Sequence, residues 1–195
     1  MAIAFATGSV CFLVGPVPAY VNLVGATADA VTFFVGSLFF TAGGALQTWI
    51  AAGDRSTPGE GATLWWAAVI QSAGTLLFNI STFRAIQVTL SSPGYNRLVW
   101  RPDLYGSVCF LVSGAIAYRA SPGPGWLPTR GGAGWWQPAV NLLGCVFFGV
   151  AALGAYVLPS GSMVDAAIAN ATTCAGAACF LACAVAGLRH RSGRS

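Results

Sequence analysis

Six times along this chain a glycine is followed by a small residue and, four positions after the glycine, by phenylalanine: Gly8 to Phe12, Gly36 to Phe40, Gly74 to Phe78, Gly106 to Phe110, Gly144 to Phe148 and Gly176 to Phe180. With 25 Gly and 12 Phe in 195 residues, about 25 × 12/195, or roughly 1.5, Gly-x-x-x-Phe pairs are expected by chance. Each copy falls in its own apolar run and none falls in a loop, so the pattern reads as a repeat. Gly36 to Gly106, Gly106 to Gly176 and Gly74 to Gly144 are each 70 residues apart, and only Gly8 to Gly74, at 66, departs. The repeating unit is therefore a two-helix hairpin present three times in one orientation. Glycine lets a neighbouring backbone approach, and a Phe four residues on lies on the same helix face beside it.

Those runs cannot all be hidden in a water-soluble core. The chain is 56% hydrophobic and 7% charged, too little polar surface to cover a globule, so its outside faces lipid. The expected fold is all-α: one transmembrane domain over 1–195, six transmembrane helices as three tandem hairpins at about 1–52, 62–119 and 135–189, and a basic tail at 189–195. The spans are placed at Ile3 to Leu23, Ala28 to Ala51, Thr63 to Val88, Asp103 to Tyr118, Trp135 to Leu158 and Met163 to Leu188. Gly15-Pro16-Val17-Pro18 removes backbone donors within the first and predicts a kink or break. Ser91 to Pro102 and the Pro- and Gly-rich Ala120 to Gly134 read as loops. The N-terminus has no basic n-region and reads as a span rather than a signal peptide, with a natural start further upstream left open.

Six spans place both termini on one side. That face carries Arg55, Arg119, Arg130, Arg189, Arg191 and Arg194 against Arg97 and Arg101 opposite, which puts both termini in the cytoplasm. Trp66 and Trp136, eight residues before their glycines, and Trp49, Arg119 and Arg189, thirteen after theirs, fit interfacial anchors. Asp29, Asp103 and Asp165 sit where even-numbered helices begin, as capping carboxylates would.

The absences narrow the chemistry. There is no Lys for a Schiff base, and the sole His190 excludes bis-His haem and disfavours a His-based triad. No Asp or Glu occupies mid-span, and no phosphate-binding glycine loop occurs. Nine Arg scattered along the chain do not form a nucleic-acid patch. Cys11, Cys109, Cys145, Cys174, Cys179 and Cys183 lie within apolar runs and read as packing residues, so no metal, cofactor or catalytic residue is expected.

The stretches Phe33-Phe34-Val35-Gly36-Ser37-Leu38-Phe39-Phe40, Leu104 to Val112, Gln71 to Asn79 and Val99 to Ser107 resemble the YrhK-type membrane domain, a bacterial module of about two helices, in longer multi-hairpin form. The resemblance implies a membrane-embedded helical fold in a bacterial cytoplasmic (inner) membrane and brings no established activity with it.

One feature is peculiar to the middle hairpin. Gln71, Thr75, Asn79 and Thr82 fall within about an 80° arc of a helix turning about 100° per residue. This polar stripe either bonds helix to helix or lines a pocket, with Gln47, Asn141 and Asn170 as contributors from other helices. Arg84, the one charge within an apolar run, points away from the stripe and reads as snorkelling to headgroups. The leading expectation is a non-enzymatic accessory, scaffold or lipid-interacting protein, with lipids, further copies of itself or other membrane proteins as partners. The alternative is a facilitator or binder of a small polar or amphipathic solute through the stripe. An enzyme acting at the outer interface through Arg101 and Asp103 ranks last.

Overall fold

The computed structural model describes residues 1–56, 60–87, 90–121 and 135–192, with side chains as far as Arg189. The predicted irregular loop at 122–134, with Arg130, and the end of the tail, with Arg194, lie outside the described residues, as does Val88.

The chain is all-helical. It runs α1 (Ala2–Val14), α2 (Pro18–Val24), α3 (Ala26–Gly53), α4 (Glu60–Ala85), α5 (Ser92–Tyr95), a π turn (Asn96–Trp100), α6 (Arg101–Arg119), α7 (Gln137–Gly154) and α8 (Ala166–Ser192). Among the described residues, α3, α4, α7 and α8 are each long and apolar enough to cross a membrane, which makes this a membrane protein. α1 and α2 reach that length only together, and they meet at 88°. The break falls where the two prolines predict it. Thirteen residues carry α1 about 20 Å at 1.5 Å per residue, short of a full crossing. α6 carries Arg101, Asp103 and Arg119 at its ends.

Six of these helices pack side by side in the order α1, α3, α4, α6, α7, α8, and α8 returns to α1. The result is a closed ring, and the glycine motif sets its tightest contacts. A Cβ built on Gly74 would sit 2.8 Å from Phe110 Cδ1 and 3.0 Å from the Gly106 carbonyl oxygen, and one on Gly106 would sit 3.1 Å from the Gly74 oxygen. Gly8 and Gly36 oppose each other in the same way, with 2.9 Å from Gly8 to the Gly36 oxygen, and a Cβ on Gly176 would strike the Phe148 ring. Neighbouring backbones approach there as only glycine permits.

Three expectations need correction. Ser91 to Pro102 is helical: Ser91 caps α5 by accepting from the Gly94 N–H, and the π turn runs straight into α6. No breaker separates Tyr95 from Arg101, so the chain has no reason to leave the helix. Of the three carboxylates, only Asp165 caps a helix, its Oδ1 accepting from the Ile168 N–H at 2.9 Å. α3 starts earlier, at Ala26 after Gly25 with φ 83°, and leaves Asp29 three residues inside, while Asp103 follows a turn already wound and has no free amides to cap. The last span starts at Ala166, not Met163, because residues 156–164 fold into a small hairpin with a Val157–Met163 bridge.

Candidate functional site

The six motif phenylalanines converge inside the ring, each 2–6% exposed. They form two layers. Phe12, Phe78 and Phe148, from α1, α4 and α7, make a triangle with ring centroids 5.8–6.4 Å apart. Phe180 joins Phe40 and Phe110, from α3 and α6, at 6.0 and 5.9 Å. Pairs from successive motif helices, Phe12 with Phe40, Phe78 with Phe110 and Phe148 with Phe180, tie the layers at 5.0–5.4 Å. Most contacts are edge to face, and each such pair is worth about 0.5–1.5 kcal/mol beyond its buried area.

A cavity lies on either side of this plug, and all six ring helices contribute to each. The larger, about 540 Å³, opens at the end that holds Met1 and the last turns of α8. Its floor is Phe40, Phe110 and Phe180, and its wall carries Gln47, Gln71, Ser113, Gln137, Asn141 and Cys183. Ser113 donates to the Ala67 carbonyl at 2.8 Å and lies 3.3 Å from Gln71 Oε1. Gln137 Nε2 is buried with no hydrogen-bond partner among the described residues. Among the described residues, Glu60 brings the one formal side-chain charge, and it is exposed. This wall offers neutral donors and acceptors above an apolar floor, inside the usual volume range of a small-molecule site.

The second cavity, about 300 Å³, has Phe12 and Phe148 as its floor and is bordered by Asp29, Thr82, Trp100, Asp103, Met163 and Asn170.

The stripe on α4 is thus divided. Gln71 faces the larger cavity and Thr82 the smaller, while Thr75 is wholly buried and donates to the Ser72 carbonyl at 2.7 Å. Asn79 donates to Thr41 Oγ1 at 2.9 Å, and Thr82 shares a 2.9 Å bond with Ser37. Its middle is a seam between α3 and α4, not the wall of a continuous pocket. Gln47 and Asn141, expected as contributors, do meet Gln71 at the larger cavity. Arg84 and Arg101 are exposed, and Asp103 borders the smaller cavity.

Asn79 Oδ1 is buried without a partner, so the residue contributes little. Asn79→Leu should change stability by less than about 1 kcal/mol, the scale of one interhelical bond in a membrane. A thermal unfolding series in detergent checks this.

Sequence reasoning missed Ser113 and Gln137. Both lie seven residues from a motif glycine, two helical turns along the same face, as does Cys183 from Gly176. Among the described residues, no three His, Cys, Asp or Glu are grouped to hold a metal ion. Compared with protein-family models, curated proteins and solved structures, the chain matches none.

Proposed function

We propose that this chain is a six-span facilitator that lets a small, uncharged polar solute pass along the axis of its ring. The observation that carries this reading is the pair of cavities on opposite faces of the phenylalanine plug. A scaffold or lipid-binding accessory needs no such pair, and among the described residues no charged side chain borders the larger cavity except the exposed Glu60. The amides of Gln47, Gln71, Gln137 and Asn141 replace some of the solute's water, and the aromatic layers exclude ions by refusing them a hydration shell.

The same proposal takes the ring as three copies of one hairpin. The Gly74–Gly106 and Gly8–Gly36 approaches, with Gly176 against Phe148, support it, as does the division of the rings by odd and even motif helix. On this reading α1 with α2 forms the first span and α6 the fourth. Arg55, Arg119 and Arg189 follow within four residues of Ala51, Ala117 and Gly187, which line the larger cavity with Met1, and this favours a cytoplasmic larger cavity in a bacterial inner membrane. The likeness to the YrhK-type module is proposed on its short stretches alone, and no functional residue is taken from it.

Cysteine scanning tests the path. In a background stripped of native Cys, Gln71→Cys and Asn141→Cys should react readily with a small polar thiol reagent, and Thr75→Cys and Asn79→Cys should stay protected. Protection of all four, in protein that still elutes as a folded species, would refute a water-filled path on this side.

A further inference from the structure

We infer that the hairpin at 156–164 is a latched lid over the smaller cavity, so that access from that end depends on a local opening. The inference rests on the axial path proposed above.

The hairpin is built to hold its own shape. Val164 N–H donates to Tyr156 at 2.8 Å, Leu158 N–H to Ser162 at 2.8 Å, and Gly161 N–H to Leu158 at 2.9 Å. Gly161 takes φ 88° at the turn, a conformation that strains other L residues. The hairpin belongs to neither α7 nor α8, and it lies along the cavity's edge: Met163, 38% exposed, and the adjoining Ala155 border the cavity, beside Trp100 and Asp103.

What holds it down comes from another part of the ring. Asn96, in the π turn, donates from Nδ2 to the Val157 carbonyl at 2.6 Å and accepts from the Val157 N–H at 3.0 Å. The side-chain amide therefore pairs with one residue's backbone as a neighbouring strand would. Trp100, one turn on, donates to the Ala152 carbonyl at 2.7 Å and packs edge-on against Tyr156 at 4.9 Å. Val157 is buried at 9% exposure, whereas Leu158 and Val164 on either side of the turn are 37% and 55% exposed. A unit that is internally rigid, outwardly exposed and fastened by a few side-chain bonds is the kind of segment that opens as one piece.

The test reads access without requiring transport. Thr173→Cys, on the α8 wall of the smaller cavity, is placed in a Cys-free background and exposed to a membrane-impermeant cationic thiosulfonate. Adding Asn96→Ala removes both bonds to Val157, and labelling should speed up by about tenfold, the scale of two neutral hydrogen bonds. Asn96→Asp keeps the acceptor and loses the donor, so it should fall between, and it serves where the alanine variant does not fold. Equal labelling in the parent and in every folded variant overturns the lid. Labelling that rises on unlatching supports it, and if glycerol flux into proteoliposomes is then absent from all variants, the axial path fails while the lid stands.

Discussion

Gly74→Leu should abolish assembly of the ring, and Gly74→Ala should lower its stability by about 1–3 kcal/mol, the usual cost of overpacking a filled contact. The reason lies in what the new atoms meet. A single Cβ on Gly74 comes within 2.8 Å of Phe110, 3.0 Å of Cys109 Cβ and 3.0 Å of the Gly106 carbonyl oxygen. A flexible side-chain end could turn aside, but a backbone oxygen cannot move unless α6 moves with it. α6 is held in turn by Ser113 against Ala67 and by Ser107 against the Phe148 carbonyl. Separating the helices at Gly74 therefore disturbs α4, α6 and α7 together. Gly53→Ala is the matched control, since nothing lies within 4 Å of its added carbon. Thermal survival of the monodisperse peak in detergent reads all three, and a Gly74→Ala protein that melts with the parent would remove the glycine contact as an organising interaction.

How much of this was visible beforehand follows from the physics of each feature. The helices were legible because apolar runs of span length leave few alternatives in a lipid environment, and the bend in the first run was legible because proline lacks an amide donor. The tight helix pairs could be read from the six glycines. The central plug could not, since a Phe beside a Gly fills space equally well at a lipid-facing seam, and only ring closure sends all six inward. The cavity wall was half legible: Gln47, Gln71 and Asn141 stood out as amides in apolar surroundings, while Ser113 and Gln137 looked like ordinary packing and helix-start residues. The stripe stayed open between its two readings because helical arc alone does not say whether the facing surface is a neighbour or a void. Asn79 and Thr82 meet Thr41 and Ser37. The latch was hidden because Asn96 bonds to the backbone of Val157, 61 residues away, and a backbone partner leaves no mark in side-chain identity.

On the proposed axial path, removing the plug should have the largest effect on solute flux. Phe110 and Phe148 lie 6.5 Å apart, one from each layer, and they contribute to the floors of opposite cavities. Replacing both with Ala joins the two spaces along the axis, because the lost rings sit between them and not against lipid, at 2% and 4% exposure. Glycerol entry into proteoliposomes, followed by stopped-flow light scattering, should accelerate at least roughly tenfold, the change that about 1.4 kcal/mol off a barrier produces. The same substitutions forfeit edge-to-face contacts and leave a void, costing about 3–5 kcal/mol per ring by the standard of soluble cores. Phe110→Leu with Phe148→Leu keeps most of the apolar volume and gives a folded intermediate whose flux should fall between parent and double alanine. Flux and stability thus move in opposite directions along one series. A purely structural cluster would lose stability along that series with no gain in flux, and glycerol entry at the rate of protein-free vesicles in both folded double variants would exclude the axial path. Retained exclusion of potassium in the leucine pair would separate a dewetted apolar barrier from a simple hole, because an apolar constriction, even a wider one, still strips an ion of water it cannot replace.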